Sequence, residues 1–385
     1  MRYGSLFSGA GGLDLAIESV FGATCAWHCE LEVLTDDEGR QRPNAAVKVL
    51  AHRWPGVPNL DDISAVDWST VEPVDILCGG FPCQDISCAG KRAGMGEGTR
   101  SGLWSEFARA IRELRPQFVV AENVRNLLNV EANRTLEHDT ATVGDGPGRP
   151  VLRALGAVLG DLCDLGYDAQ WVTVAASDVG APHRRERVFI LATAADAGGA
   201  AARGGREWIA GGNTGLTPAP VDLLPTPSAA DGGGGHLSRS GDRSCELLLP
   251  GIARAYGNGE MLPTPRRSDG DGGPNPLSRA ERMDDVETRI IRCGGQWGKY
   301  EPAIQRWESV TTPAPSPTEP NTKGNHRLAA AFSEWMQGFR NGWITGVPGI
   351  SRNDQLRIIG NSVCPQQAVA ALRQLLSFVG YGVAA

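Results

Sequence analysis

The stretch Tyr3–Glu18 constrains the fold more than any other part of the chain. Tyr3-Gly4-Ser5-Leu6-Phe7 has the make-up of a short buried strand. Ser8-Gly9-Ala10-Gly11-Gly12 suits a tight turn, and Leu13-Asp14-Leu15-Ala16-Ile17-Glu18 begins a helix. Strand, glycine turn and helix in that order open a doubly wound α/β domain, which brings ligands to the carboxyl ends of its strands. Glycines there let backbone approach a ligand closely, although they also make turns that hold nothing. The spacing is neither GxGxxG nor GxxxxGK[ST], so the dinucleotide fingerprint and the P-loop are both excluded. A second strand, Thr24–Glu30, closes on an acid. Glu30 lies roughly 20 residues past the turn, where a carboxylate can accept ribose hydroxyls. Glu32 is its rival.

Two later strands end in reactive side chains. Val74-Asp75-Ile76-Leu77-Cys78 runs into Gly79-Gly80-Phe81-Pro82-Cys83-Gln84, and Phe118-Val119-Val120-Ala121-Glu122-Asn123-Val124 ends in an acid and an amide. A free cysteine is most often a small buried hydrophobe. In a glycine-framed loop at a strand end, however, its thiolate can meet a substrate as a nucleophile. If the sheet is parallel, Cys83 and Glu122 face one pocket. The Gly-, Lys- and Arg-rich stretch 85–100 reads either as a lid beside that pocket or as a solvated loop. Leu103, Phe107, Ile111 and Leu114 recur at helical spacing, as do Leu152, Leu155, Val158, Leu159, Leu162 and Leu165. Ala45–Trp54 is a further helix, and residues 35–43 and 131–150 read as polar loops. Trp171–Val174 is a strand. Arg185 and Arg187 alternate into the apolar run Val188–Leu191, which predicts that both point to one side of a strand. An arginine at such an edge wants an anion or a carbonyl.

From about residue 195 the composition turns to Gly, Pro, Ser, Thr and Arg. Leu-Pro-Thr-Pro occurs at 224–227 and again at 262–265, followed in the second copy by Arg266 and Arg267. Trp208, Trp297, Tyr300 and Trp307 argue against simple disorder. Order returns with a helix over 327–336, stopped by Gly338. Gly360-Asn361-Ser362 then reads as a turn before an apolar helix that starts at Pro365. The expected organisation is a doubly wound α/β domain made of 1–195 and 327–385 around a smaller irregular domain, 196–326. Nine cysteines in 385 residues, with no CxxC pair, suggest neither a disulfide framework nor a zinc site. No apolar run reaches the ~18 residues a membrane helix takes, and a cytoplasmic protein is expected. The net charge of -7 argues weakly against nucleic acid as partner. A local arginine-rich cleft remains compatible with it.

Pro82-Cys83-Gln84, Glu122-Asn123-Val124, Arg185-x-Arg187 and Gly360-Asn361-Ser362-Val363-x-Pro365, in that order and with the glycine turn at the front, resemble the DNA (cytosine-5)-methyltransferases. The resemblance covers the chain outside about 197–325. It implies a Rossmann-like, S-adenosylmethionine-dependent methyltransferase domain with a target-recognition domain inserted. Cys83 would add to the cytosine ring, Glu122 would serve ring nitrogen 3, Asn123 would brace the Pro82–Cys83 loop, and Arg185 and Arg187 would approach the cytosine carbonyl. Phe7, Gly9, Gly11, Gly12, Glu30, Asp62, Ile63 and Leu103 would hold the cofactor, S-adenosyl-L-methionine, with Asn361, Ser362 and Val363 completing the pocket. Gln84, Ser87, Lys91, Arg92, Arg266 and Arg267 would face DNA. His183 stands where the family usually has Gln, which leaves that residue's role open. The implied protein is a monomer acting on double-stranded DNA, with a cognate restriction endonuclease as an optional partner and no metal. An RNA cytosine methylase with the same pocket and a DNA-binding module with a dead site are the alternatives.

Overall fold

The computed structural model describes residues 1–35, 38–82, 102–129, 154–195, 300–320 and 326–380, with a few positions between 223 and 297. The described residues belong to two compact units. One comprises Met1–Ala175, Glu186–Gly215 and Val363–Ala385, and the other Ala176–Arg185 and Leu216–Ser362.

The first unit follows the order set by its opening stretch. Strand β1 (Arg2–Leu6) leads through the glycine turn into α1 (Gly12–Phe21) and β2 (Thr24–Cys29). A small hairpin, β3 (Val33–Thr35) and β4 (Gln41–Pro43), precedes α2 (Ala45–Arg53). Strand β5 (Ile76–Gly80), helix α3 (Gly102–Leu114), β6 (Phe118–Val124), α4 (Ala154–Asp164), β7 (Tyr167–Ala175) and β8 (Glu186–Ala194) follow. The six long strands form one sheet in the order β2-β1-β5-β6-β8-β7. Strands β2, β1, β5 and β6 are mutually parallel, whereas β8 runs against both of its neighbours. The reversal has a simple cause. Residues 176–185 between β7 and β8 are fewer than the dozen or so a parallel crossover takes, so the chain must turn straight back.

Strand alternation splits the apolar residues between two cores. Leu77, Val119 and Ile190 face the side covered by α3 and α4, against Phe107, Ile111, Val158 and Leu162. Ile76, Val120 and Phe189 face the other side, where Ile17 of α1 and Leu372 and Leu376 of a last helix, α8 (Pro365–Phe378), cover them. A sheet buried on both faces is the doubly wound Rossmann-like architecture the sequence predicts. Gly4 is needed inside it, because a Cβ there would come within 2.2 Å of the Trp27 ring.

The second unit contains α5 (Glu301–Glu308), the short antiparallel pair β9 (Thr318–Pro320) and β10 (His326–Leu328), α6 (Ala330–Met336) and α7 (Arg352–Asn361). Its core is aromatic. Trp307 and Trp335 are buried, the Trp307 indole donates to the Trp335 carbonyl at 2.9 Å, and Trp297 stacks on Phe332 at 5.4 Å. The buried Glu334 carboxylate accepts from the backbone N–H groups of Gly342, Ile344 and Thr345, which folds the segment after α6 back onto it.

Four expectations change. Residues 35–43 are not simply a loop, because Gln41–Pro43 pairs with Val33–Thr35; both strands are mostly exposed and so carry no alternating apolar signal. Arg327 and Leu328 belong to β10, held by pairing with distant β9, and the helix begins only at Ala330. Gly360 and Asn361 close a helix instead of forming a free turn. Its start is marked by Ser351, whose side chain accepts from the Asp354 N–H. Finally, residues 327–362 pack with the second unit and the return to the first comes only at Val363. The aromatic core shared by Trp307, Phe332 and Trp335 decides that boundary, whereas in sequence the return of helical periodicity looks like a return to the first domain.

Candidate functional site

Parallel pairing of β5 and β6 sets Gly80 opposite Glu122 at the carboxyl edge of the sheet. The Glu122 carboxylate lies so close that a Cβ on Gly80 would stand 2.9 Å from its Oε2. Because β8 runs the other way, its first residues arrive at this same edge, with Arg187 opposite Val124. The Arg187 Nε lies 2.9 Å from Glu122 Oε1, and both side chains are largely buried. Arg187 also donates from Nη1 to the Glu186 carbonyl. A carboxylate and a guanidinium removed from bulk water hold each other far more firmly than a surface pair would.

Asn123 ties the loop after β5 to this edge. It is buried, its Nδ2 donates to the Phe81 carbonyl at 3.0 Å, and its Oδ1 accepts from the Val124 N–H at 2.8 Å. The Phe81 ring packs 5.0 Å from Trp104 of α3, whose indole N–H donates to Asp161 of α4. Phe81 is thereby fixed from two sides, and half-buried Pro82 follows it. Cys83, Gln84, Ser87, Lys91 and Arg92 lie outside the described residues, as do Arg266 and Arg267.

The glycine turn sits at the carboxyl end of β1, which has β2 on one side and β5 on the other. The chain therefore winds one way and then the other from β1, the arrangement that opens a ligand crevice between strand ends. Phe7, Gly9 and Gly11 take positive φ values of 53°, 56° and 76°. A Cβ on Gly9 would meet nothing within 4 Å, so the turn is open on that side. The Gly9 N–H donates to Glu30 Oε2 at 2.9 Å, which draws the end of β2 onto the turn. Glu30 Oε1 accepts from the Asn44 amide at 2.7 Å. Burial pushes the Glu30 carboxyl above the usual carboxylate range, against the opposing pull of the Gly9 N–H and the Asn44 amide. Glu32 is exposed; its N–H donates to Asp61 Oδ1 and its carbonyl accepts from the Asn44 N–H.

Asn44 is a residue sequence reasoning missed. Its Oδ1 accepts from the Ala46 N–H as the cap of α2, while its amide nitrogen serves Glu30 and the Leu31 carbonyl. An Asn just ahead of an alanine-led helix was the available signal. Asp62, half-buried, spends Oδ1 on the N–H and hydroxyl of Ser64. Ile63 is buried with its carbonyl accepting from Arg109, and Leu103 packs half-buried at the start of α3. A glycine turn with an open face, a carboxylate at the next strand end and an apolar residue beyond it fit the glycine-approach, ribose and adenine needs of S-adenosylmethionine.

Arg185 departs from expectation. It precedes β8 with φ 32°, so strand alternation does not govern it, and its Nη2 donates to the carbonyls of Gly360 and Ser362 at the end of α7. It is the carbonyl-seeking member of the pair and Arg187 the anion-seeking one. Buried His183 lies with Nε2 3.0 Å from the Met336 carbonyl. Asn361 is exposed and Ser362 buried in the second unit, and Val363 begins the last segment of the first.

The model of the C-5 cytosine-specific DNA methylase family matches residues 1–203, just over half of the chain. The type II methyltransferase M.Eco47II of Escherichia coli is 35% identical over 194 residues, 50% of this chain and 39% of that one. M.HhaI of Haemophilus parahaemolyticus is 31% identical over 191 residues, 50% of this chain and 48% of that one. The matched stretch thus spans less than half the length of either relative. Among solved structures, a DNMT2 mutant of Spodoptera frugiperda superposes with TM-score 0.52 at 14% identity, covering 97% of this chain and 99% of that one. The Dnmt2 methyltransferase of S. pombe gives TM-score 0.50 at 12% identity, covering 98% and 99%. These two likenesses concern the fold.

Proposed function

The chain belongs to the C-5 cytosine-specific DNA methylase family, and from that premise we propose that it methylates carbon 5 of a cytosine within a short target sequence of duplex DNA. The observation that carries this reading is the largely buried Glu122–Arg187 pair beside Gly80, at the mouth of a loop that Asn123 holds through Phe81. A buried acid set in a fixed direction at a strand end is what activation of a cytosine ring needs.

Cys83 follows Pro82 in sequence and takes the role of nucleophile. Its thiolate adds to carbon 6 of the ring, which turns carbon 5 into an enamine carbon able to attack an electrophile. Negative charge that would build on ring nitrogen 3 is met by Glu122, acting as a hydrogen-bonded acid. Arg187 orients that carboxyl and offers its remaining donors toward the cytosine carbonyl. Asn123 acts as a positioning residue for the loop. S-adenosylmethionine supplies an electrophilic methyl group for carbon 5; Gly9, Gly11, Glu30 and Ile63 are the residues that would hold it. Loss of the carbon-5 proton then lets Cys83 leave. A base stacked in a duplex cannot reach a recessed edge of this kind, so the cytosine must be extruded.

Bisulfite sequencing of plasmid DNA from cells expressing this chain, beside the Cys83→Ser form, tests the proposal. The expected result is protected cytosines in one recurring context, lost in the mutant. Soluble wild-type protein that protects no plasmid cytosine but labels tRNA would assign the same pocket to RNA. Labelling of neither, with DNA still bound, would leave a binding module.

A further inference from the structure

On the face of the sheet that α1 covers, three side chains that the proposed methyl transfer does not use converge. Asp14 comes from the first turn of α1, and Cys25 and His28 come from β2. All three are buried, Asp14 and His28 almost completely. The His28 Nε2 lies 3.4 Å from Asp14 Oδ1 and 3.5 Å from Cys25 Sγ, and one ligand atom from each residue lies within 4.8 Å of the others. Among the described residues, neither oxygen of Asp14 has a hydrogen-bond donor. A carboxylate placed out of water without donors is costly, and it asks for a cation.

The distances suit one. Donors at about 2.0–2.3 Å from a tetrahedral zinc ion stand roughly 3.3–3.6 Å apart. Both the oxygen–nitrogen and the nitrogen–sulfur separations fall in that range. Thiolate, imidazole and carboxylate together form a borderline-soft donor set that favours zinc over magnesium or calcium. The ligands come from two elements through β1–α1–β2 topology, so no CxxC or HxxxH spacing announces them. A cleft of about 520 Å³, lined by Glu18, Thr24, Cys25, Arg53 and Trp54, borders the trio at Cys25. The indole of Trp54 bonds the Glu18 carboxylate and also packs edge-on against His28 at 5.2 Å, linking the cleft wall to the trio.

We infer that Asp14, Cys25 and His28 form a structural site for one divalent zinc-like cation, whose fourth position is open to a water. The ion would pin α1 to β2 directly behind the glycine turn. The competing arrangement is a dry ion pair between Asp14 and protonated His28, with Cys25 a weak hydrogen-bond partner. The two differ in whether sulfur bonds a metal.

Full-length protein is loaded with zinc, desalted and assayed for bound metal, and the same is done with cobalt, whose thiolate complex absorbs in the near ultraviolet. The expected result is about one ion per chain, a thiolate-to-cobalt band that Cys25→Ser abolishes and that Cys163→Ser, at an exposed cysteine, keeps, and affinity lowered by about tenfold or more in Asp14→Asn. X-ray absorption of the zinc-loaded wild type keeps the test decisive should Cys25→Ser misfold, since this site requires one sulfur among nitrogen and oxygen donors. No retained metal, a shell of several sulfurs, or a cobalt band that persists in folded Cys25→Ser would overturn the inference.

Discussion

Gly79→Ala and Gly80→Ala add the same methyl group to adjacent residues of β5 but should fail in different ways. On Gly79 the new Cβ would lie 2.8 Å from the Leu6 carbonyl oxygen and 3.0 Å from the Leu6 Cβ. Those atoms belong to the core strand β1 and cannot step aside. Overpacking of this kind costs about 1–3 kcal/mol, and for a domain of this size 1 kcal/mol moves Tm by roughly 2–4 °C. On Gly80 the Cβ would meet Glu122 Oε2 at 2.9 Å, the far end of a flexible side chain. The carboxyl must retreat by roughly 0.5–1 Å to reach ordinary contact, and Arg187 can follow it. Stability should change by less than about 1 kcal/mol, while a displacement near 1 Å at a reacting group costs on the order of 10²-fold in rate. Thermal unfolding and labelled-methyl transfer to duplex DNA, measured on both variants, separate the two effects. Near-wild-type turnover in a folded Gly80→Ala protein would refute the claim that the position of Glu122 matters to the reaction. Melting of Gly80→Ala as low as Gly79→Ala would show that the glycine is needed for packing alone.

Arg187→Ala leaves the largely buried Glu122 carboxylate without its 2.9 Å partner; a loss of about 3 kcal/mol by urea unfolding is expected, and Arg187→Lys should recover part of the stability but little turnover. Asn44→Ala removes the cap of α2 and the amide on Glu30, so it should cost about 1 kcal/mol and raise the KM for S-adenosylmethionine more than it lowers kcat in steady-state assays. Because burial raises the Glu30 carboxyl in the folded protein, the folded state holds that proton more tightly. The associated stability is fully present below the unfolded carboxyl value of about 4.3 and is lost as pH rises through the raised native value. Urea unfolding across that window should show the slope in the cofactor-free wild type and a flatter one in Glu30→Gln; equal slopes would remove Glu30 as its source.

Local pattern carried much of the site's scaffold. The glycine turn, the alternating strands and the helical spacing of Leu103, Phe107 and Ile111 are statements about a few neighbouring residues, and β1, α1, β5, α3 and β6 formed where those patterns stood. The parallel pairing that sets Gly80 beside Glu122 followed from strand–helix–strand order. The hydrogen bond from Asn123 to the Phe81 carbonyl joins two strand ends that the same pairing brings side by side.

Other features depend on residues far apart in the chain, and no local pattern encodes them. The short return from β7 reversed β8, and this reversal is what carries Arg187 to Glu122 while Arg185 turns to the end of α7. The second junction on Glu30 came from Asn44, across the β3–β4 hairpin. An aromatic core assigned residues 327–362 to the second unit. Asp14, Cys25 and His28 met because α1 packs beside β2, a contact without a sequence spacing of its own. Short-range periodicity determines which elements exist and which face of each is apolar. Partners for buried charges are chosen by the packing of whole elements, since only there does loss of water make an unpaired carboxylate or guanidinium too costly to leave alone.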